Sequence, residues 1–268
     1  MQASIEYMIA GLTVISILVV AEMNVLTLMN QTLTEVRQEV GLSEAEDILD
    51  TLLLSPGYPP DWGESSDTPD SMGLAVQNSI EEYVLDPKKV IRLSEESDYY
   101  ISPPTTRRLL GLSKKYHFSL RITPFFNVTI NNEGDGNYTI SVTTYRGNPA
   151  PNVNVTGYYV DLPFQYNATY QTQSAITSID GTCTLNFDYA SNSTLIVCAD
   201  QSGIRSIAAE ENGLCLKVED GYVIESETPI IHTIDYSTGE LSELKKDVVT
   251  KFVKIDGYTY YVEFILWS

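Results

Sequence analysis

One acidic side chain, Glu6, lies inside an apolar stretch near the start of the chain. The stretch reads MQASIEYMIAGLTVISILVV, and the next charged residue is Glu22. A carboxylate at membrane depth costs roughly 2.5–3.5 kcal/mol on insertion scales. It becomes tolerable when a cation pairs with it, yet the first Lys or Arg of the chain is Arg37. The chemistry to look for at Glu6 is therefore an ion pair.

Residues that could form a catalytic site do not cluster in the sequence. The two histidines, His117 and His232, lie far apart, and no zinc-protease, C-x-x-C, Walker or nucleophile-elbow motif occurs. Residues 131–136 carry oxygen side chains at alternate positions, as in a calcium loop. The twelfth position is Val142 instead of a bidentate Glu, so a hairpin turn is favoured. The sequence predicts no catalytic residue, no metal site and no cofactor, and the protein is not expected to be an enzyme.

Sequons for N-glycosylation are concentrated in the second half of the chain. Each N-x-S/T site lacks an intervening proline, and the sites are Asn30, Asn127, Asn137, Asn154, Asn167 and Asn192. Asn30 lies close to the apolar stretch and is not favoured. The other five predict an extracellular, glycosylated surface.

The three cysteines allow more than one redox state. If Phe187 pairs with Thr194 in a hairpin, Cys183 lies directly opposite Cys198, and a disulfide between them suits an oxidising exterior. Free buried cysteines are an alternative, and a Cys198–Cys215 pair is another.

The charge balance excludes one class of partner. The formal net charge is -20 and the sequence pI is about 4.3. Such a field repels nucleic acid phosphates and anionic lipid surfaces, so no nucleic acid partner is expected. Hydrophobic residues make up 43% of the chain, which is enough for a packed core.

Residues 1–30 are predicted to form a hydrophobic helix. At about 1.5 Å per residue, a helix from Ala3 to Met29 spans an apolar bilayer core of about 30 Å. Its apolar residues surround the axis, which indicates burial on all sides by lipid or by other helices. A secretory signal peptide fits poorly because there is no basic n-region and no small-residue cleavage site. A plain membrane anchor with Glu6 at the headgroup level remains an alternative.

The start of this helix resembles a known family. Gln2-Ala3-Ser4-Ile5-Glu6-Tyr7 resembles the Q-x-S-x-E-Y start of mature archaeal type IV pilin-like proteins with class III signal peptides. The resemblance implies that a short basic leader precedes Gln2 and that a prepilin peptidase-like membrane enzyme cuts the Met1–Gln2 bond. It also implies that Glu6 meets the free α-amino group of Gln2 in a neighbouring subunit during assembly.

An amphipathic helix is predicted over residues 31–57. Ser43 and Glu46 form a capping box, and an apolar stripe follows before Pro56 ends the element. Whether this helix continues from the first one or breaks at Gly41 stays open.

Residues 58–115 are predicted to be a loop-rich region with short helices. One short helix is expected around 80–84, another after the Asp86-Pro87 cap pair, and a last turn around 105–112.

The remaining residues, 116–268, are predicted to form a mainly antiparallel β-sandwich. Apolar and polar residues alternate along 116–123, and Asp-Gly pairs recur between strand patterns. The clearest hairpin pairs residues 251–255 with 258–262. Residues 138–206, with their Tyr145-Arg-Gly-Asn-Pro, Asp180-Gly-Thr and Thr194-Leu-Ile-Val-Cys-Ala motifs, are similar to Ig-like or carboxypeptidase-regulatory-like domains.

These observations together predict an α+β protein with a long N-terminal helix and a β-sandwich domain. The family resemblance implies a structural subunit of an archaeal type IV pilus-like filament that acts in adhesion or surface interaction. Its N-terminal helix would be anchored in the membrane and would later pack against identical or related pilin subunits, with the C-terminal domain extracellular. A monomeric membrane-tethered binding domain is the main alternative. A secreted hydrolase that uses paired carboxylates is a weaker one.

Overall fold

The computed structural model of the protein describes residues 44–165, 170–239 and 246–268. The predictions for Met1, Gln2, Glu6, Asn30, Gly41 and Asn167 lie outside these residues. Within the described ranges, no helix combines the length and the apolarity needed to cross a bilayer.

The described chain is mainly β-structure. Its helices are α1 (44–54), α2 (Pro87–Ile91) and α3 (Pro103–Leu109), with a 3-10 turn at Trp62–Glu64. The strands are β1 (Val84–Leu85), β2 (His117–Pro124), β3 (Phe126–Gly134), β4 (Asn137–Thr144), β5 (Asn154–Asp161), β6 (Gln171–Ile176), β7 (Thr182–Asn186), β8 (Ser193–Gln201), β9 (Ile204–Ala209), β10 (Leu216–Glu219), β11 (Tyr222–Glu225), β12 (Ile234–Ser237), β13 (Lys246–Ile255) and β14 (Tyr258–Trp267).

Helix α1 buries the apolar stripe that the sequence predicts. Leu49, Leu52 and Leu53 are fully buried, and the helix ends just before Pro56. The carbonyls at its end are paired, because Leu74 and Ala75 donate their backbone N–H groups to the carbonyls of Leu52 and Ser55. The described part of the helix is therefore anchored in the core at its carboxyl end.

A five-stranded sheet covers the buried face of α1. Its strand order is β1-β13-β14-β2-β12, and all neighbours are antiparallel except β1 and β13. Phe118, Val262 and Phe264 face the helix and share one hydrophobic core with it. The predicted hairpin is confirmed, since Ile255 pairs with Tyr258 and Lys251 pairs with Val262.

Strands β3 to β9 form a β-sandwich. One sheet has the order β3-β4-β7, and the other has the order β6-β5-β8-β9. Ile140 and Leu185 from the first sheet pack against Val155 and Val197 from the second in a separate core. The Ig-like segment predicted at 138–206 lies within this sandwich, which runs from Phe126 to Ala209.

The four-stranded sheet belongs to both cores. Along β5, Tyr159 points into the sandwich, whereas Tyr158 and Val160 pack against the core under the five-stranded sheet. Along β8, Val197 points into the sandwich, whereas Cys198 packs against the core under the five-stranded sheet. Burial on both faces explains why β8 reads as a continuous apolar run instead of an alternating one. Residues from 58–115, which the sequence groups as a separate loop-rich region, also contribute to the core under the five-stranded sheet.

Most of the turns lie where the sequence predicts them. The Asp135-Gly136, Asp220-Gly221 and Asp256-Gly257 pairs all have positive φ at both residues and join adjacent antiparallel strands. The hairpin favoured over a calcium loop at 131–136 is therefore confirmed. The prediction of a helix around 80–84 is wrong. Tyr83 has a φ of 58°, and the next two residues form strand β1.

The hairpin that would bring Cys183 opposite Cys198 is not formed. Strand β7 pairs with β4, whereas β8 pairs with β5 and β9, so the two cysteines lie in different sheets of the sandwich. All three cysteines are free, with Cys198 buried and Cys215 exposed. The proposed Cys183–Cys198 pairing is therefore wrong, because β7 and β8 follow each other in the chain but belong to opposite sheets of the sandwich. The alternative Cys198–Cys215 pair is not formed either.

Helix α2 places a buried lysine against the loop between α1 and β1. Asp86 caps the helix by accepting a hydrogen bond from the backbone N–H of Lys88. Lys89 is fully buried, and its Nζ donates to the carbonyls of Pro56 and Ala75 at 3.0 and 2.9 Å. Burial lowers the pKa of Lys89 from its ordinary value. A buried cation without partners would be strongly unfavourable, so these contacts specify the loop's path.

A second buried cation continues this network. The guanidinium of Arg92 donates to the carbonyls of Trp62, Asp67 and Tyr99 and lies 5.2 Å from the centre of the Trp62 ring. The indole N–H of Trp62 donates in turn to the carbonyl of Gly73 at 2.9 Å. A Cβ at Gly73 would lie 2.4 Å from the carbonyl oxygen of Ser55, so only glycine permits this approach.

The two adjacent lysines of α2 provide a matched test of this network. We expect Lys89→Met to lower the free energy of unfolding by about 2–4 kcal/mol, because the carbonyls of Pro56 and Ala75 lose their donor. Lys88→Met removes only partly exposed ion pairs with Glu64 and Glu227 and should cost at most about 1 kcal/mol. Urea unfolding measures both values, and equal losses in the two variants would contradict the role assigned to Lys89.

Candidate functional site

The outer face of the five-stranded sheet carries exposed aromatic side chains. Side chains alternate across a strand, so the positions of β13 and β14 that do not face α1 point outward. Phe252 is 52% exposed and Val248 is 43% exposed. Phe252 lies directly opposite Tyr261 in the sheet. Exposed apolar side chains grouped in this way are typical of interaction surfaces.

Phe125, which directly precedes β3, and Tyr145, which directly follows β4, complete an aromatic patch. The patch is defined here as Phe125, Tyr145, Phe252 and Tyr261. The ring of Tyr145 stacks on that of Tyr261 with centroids 4.1 Å apart. The ring centroids of Phe125 and Phe252 lie 5.6 Å apart, and those of Phe252 and Tyr261 lie 5.7 Å apart. The patch therefore forms where the sandwich joins the five-stranded sheet.

Backbone hydrogen bonds position the patch at this junction. The N–H of Phe125 donates to the carbonyl of Thr259, and the N–H of Tyr145 donates to the carbonyl of Phe125. The next residue, Phe126, donates its N–H to the Ser206 hydroxyl at 3.0 Å. These hydrogen bonds fix the position of the chain between the five-stranded sheet and the sandwich.

Charged groups border the aromatic patch. A pocket beside it is lined by Arg121, Thr123, Tyr145, Arg146, Tyr261 and Glu263. Arg146 lies over the ring of Tyr145 at 5.3 Å, and Arg121 forms an exposed ion pair with Asp235 at 3.3 Å. Burial raises the pKa of Tyr261, with a smaller contribution from Glu263, so its phenol stays protonated near neutral pH.

The pocket combines aromatic faces with charged groups. Aromatic faces stack against flat or apolar groups, while guanidinium and carboxylate groups hydrogen-bond to polar ones. The hairpin register in the sequence already places Phe252 opposite Tyr261. The sequence carries no sign that Tyr145 joins them, because that contact depends on how the sandwich packs.

The predicted glycosylation sites that the structure describes are all exposed. Asn127, Asn137, Asn154 and Asn192 each have solvent-accessible side chains. Asn127 and Asn137 point away from the sandwich core, on the outer face of the three-stranded sheet. The structure does not bring the four sites together, since Asn127, Asn137 and Asn154 belong to three strands of the two sheets and Asn192 lies in the turn before β8.

The two histidines do not converge. His117 opens β2 and stacks on Trp267, whereas His232 is exposed and precedes Ile234, which pairs with Ile122 further along β2. In the described part of the chain, no three His, Cys, Asp or Glu side chains are grouped so that they could hold a metal ion.

Comparisons of the chain with protein-family models, with curated proteins and with solved structures found no match. Functional inference therefore depends on the chain's own residues.

The three thiols should differ in reactivity. Burial raises the pKa of Cys183 and Cys198, so their thiolate fraction at neutral pH is small. With an alkylating reagent and no reductant, we expect Cys215 to react first and Cys183 more slowly, with a rate that increases with pH. Cys198 should react only after unfolding.

Mass spectrometry of the alkylated peptides measures this order. Three modified thiols after denaturation without reductant are expected. Two protected thiols that appear only after reduction would show that a disulfide forms.

Proposed function

We propose that the chain is a structural subunit of an archaeal type IV pilus-like surface filament that acts in adhesion or surface interaction. The observation that carries the proposal is the Gln2–Tyr7 motif followed at once by an apolar stretch. In this proposal the N-terminal helix first anchors the subunit in the membrane and later packs with other subunits in the filament core. The strand-rich part then lies outside the cell.

The role proposed for Glu6 follows from its electrostatics. An unpaired carboxylate among apolar groups is unfavourable by several kcal/mol. Cleavage of the Met1–Gln2 bond would create an α-amino group, which is largely protonated near neutral pH because its ordinary pKa is about 7.7–8.0. An ion pair between Glu6 of one subunit and Gln2 of another would set their register, since any other axial position leaves both charges unpaired.

The structure of the described residues supports this proposal in two ways. Helix α1 buries its carboxyl-terminal half in the globular core, so a pull on the chain's N-terminal segment would be borne by Leu49, Leu52 and Leu53. The exposed sequons fit an outer surface in contact with the medium.

Substitution of Glu6 tests the assembly role. We expect Glu6→Ala to insert into the membrane normally, because the apolar stretch is unchanged, but to give no filaments by electron microscopy. The matched control is Glu46→Ala, which removes an exposed ion pair with Lys251 at 3.1 Å and should assemble as the wild type does. Normal filaments from Glu6→Ala would contradict the proposal.

A monomeric membrane-tethered binding domain is the second candidate function, and the aromatic patch favours it. A tether needs no subunit contact, so it would tolerate Glu6→Ala. A wild-type chain that keeps Met1, stays in the membrane and forms no filament would support the tether and exclude the pilin-like subunit.

We also propose that Asn127, Asn137, Asn154, Asn167 and Asn192 carry N-glycans. In intact-mass measurements of the native protein, Asn137→Gln should remove the mass of one glycan. Asn186→Gln is a matched control, because Asn186 is exposed and lies opposite Asn137 in the sheet but is not in a sequon. A native mass equal to that of the polypeptide would contradict glycosylation.

A further inference from the structure

Positive charge is concentrated in one short segment of this acidic protein. No Asp or Glu occurs between Asp98 and Glu133, although acidic residues outnumber basic ones by 36 to 16 in the whole chain. Within this interval, the sequence RRLLGLSKK runs from Arg107 to Lys115. These nine residues are called the basic tip below.

The cations of the basic tip are available to a partner. Arg108, Lys114 and Lys115 are exposed, and Arg107 is half-buried at the end of α3. None of the four forms an ion pair with another residue that the structure describes. By contrast, Arg121, Lys217, Lys251 and Lys254 each lie within 3.3 Å of a carboxylate oxygen.

The fold holds the basic tip in place. Leu109, Leu110 and Leu112 are partly buried against the core and face Ile48 of α1 across a groove. The hydroxyl of Thr106 hydrogen-bonds to the buried phenol of Tyr236 at 2.6 Å, which fixes α3 on the sheet. Because its leucines are engaged inward, the tip presents charge and not apolar side chains that could enter a membrane.

The segment just before the tip carries the opposite charge. Residues 61–98 expose several carboxylates that form no ion pair with the described residues, among them Asp61, Asp67, Asp70, Glu95, Glu96 and Asp98. Two molecules with a net charge of -20 repel each other. A local region of opposite sign reduces this repulsion where two copies meet.

We propose that the basic tip of one copy docks on the acidic segment 61–98 of a second copy. The two surfaces differ, so the contact is heterologous and can repeat without closing, as a filament requires. This inference rests on the proposed filament function. Complementary charge would also direct the order of subunits, because tip against tip and acidic segment against acidic segment are both repulsive.

Zero-length cross-linking of carboxylates to amines in wild-type filaments tests the contact. In filaments from mixed light and heavy isotope-labelled chains, we expect intermolecular links from Lys114 and Lys115 to Asp or Glu within 61–98. Lys254 is the internal control, because its Nζ lies 2.7 Å from Glu81 of the same chain and should give intramolecular links.

Charge reversal provides the second measurement. Arg107→Glu with Arg108→Glu should reduce filament yield about tenfold or more, since it replaces attraction by repulsion. The matched control reverses two exposed cations that lie outside both surfaces, Arg146→Glu with Lys246→Glu, and should assemble normally. Reversal of the cross-linked carboxylates to Lys should restore assembly of the tip variant, and high salt should weaken the wild-type contact.

The outcomes separate this inference from the proposed function. Filaments without intermolecular links from the tip, or with full assembly of the Arg107/Arg108 variant, would overturn the inference and leave the filament function intact. If the wild type forms no filaments, the proposed filament function is wrong. The contact between copies is then tested by the same cross-linking of the wild-type protein in membranes. Intermolecular links there would support it, and their absence would overturn it. A variant that assembles normally but detaches from anionic vesicles would identify lipid as the partner and overturn the contact between copies.

Discussion

Two buried cations, Lys89 of helix α2 and Arg92 directly after it, organise the part of the fold that precedes the sandwich. Lys89 and Arg92 donate hydrogen bonds to the carbonyls of Pro56, Ala75 and Asp67, which lie outside the strands and helices. Buried backbone carbonyls need donors, and buried cations need acceptors, so each group removes the other's penalty. The loop held in this way covers the end of α1 and contributes Trp62 to the core. Without it, the leucines of α1 would lack one wall of their packing.

The four-stranded sheet connects the helix-bearing part of the fold to the sandwich. Its central strands β5 and β8 are buried on both faces, and their side chains alternate between the two cores. Because neither core closes without that sheet, the sandwich and the helix-bearing part are expected to form one stable unit. The aromatic patch is a consequence, since Tyr145 reaches Tyr261 only while the two parts hold their relative position.

Local features of the fold could be predicted from the sequence because they depend on neighbouring residues. The apolar stripe of α1, the Asp86 cap of α2 and the Asp-Gly hairpins follow from periodicity and backbone preference. The prediction of a Cys183–Cys198 pair was wrong because it assumed that β7 and β8 share a sheet. The prediction of a helix around 80–84 was wrong because the chain turns at Tyr83 and its next residues pair with β13. The basic tip was readable in principle, as the absence of acidic residues between Asp98 and Glu133.

The sequence by itself determined the chemical character of this protein: an acidic chain, an apolar stretch with one carboxylate, and sequons in a strand-rich half. These properties are sums or short patterns, so they need no three-dimensional information. Only the tertiary structure decided which strands share a sheet, which lysine of α2 is buried and which aromatic side chains meet on the surface. Each of those depends on contacts between residues far apart in the chain, and no local preference specifies such contacts.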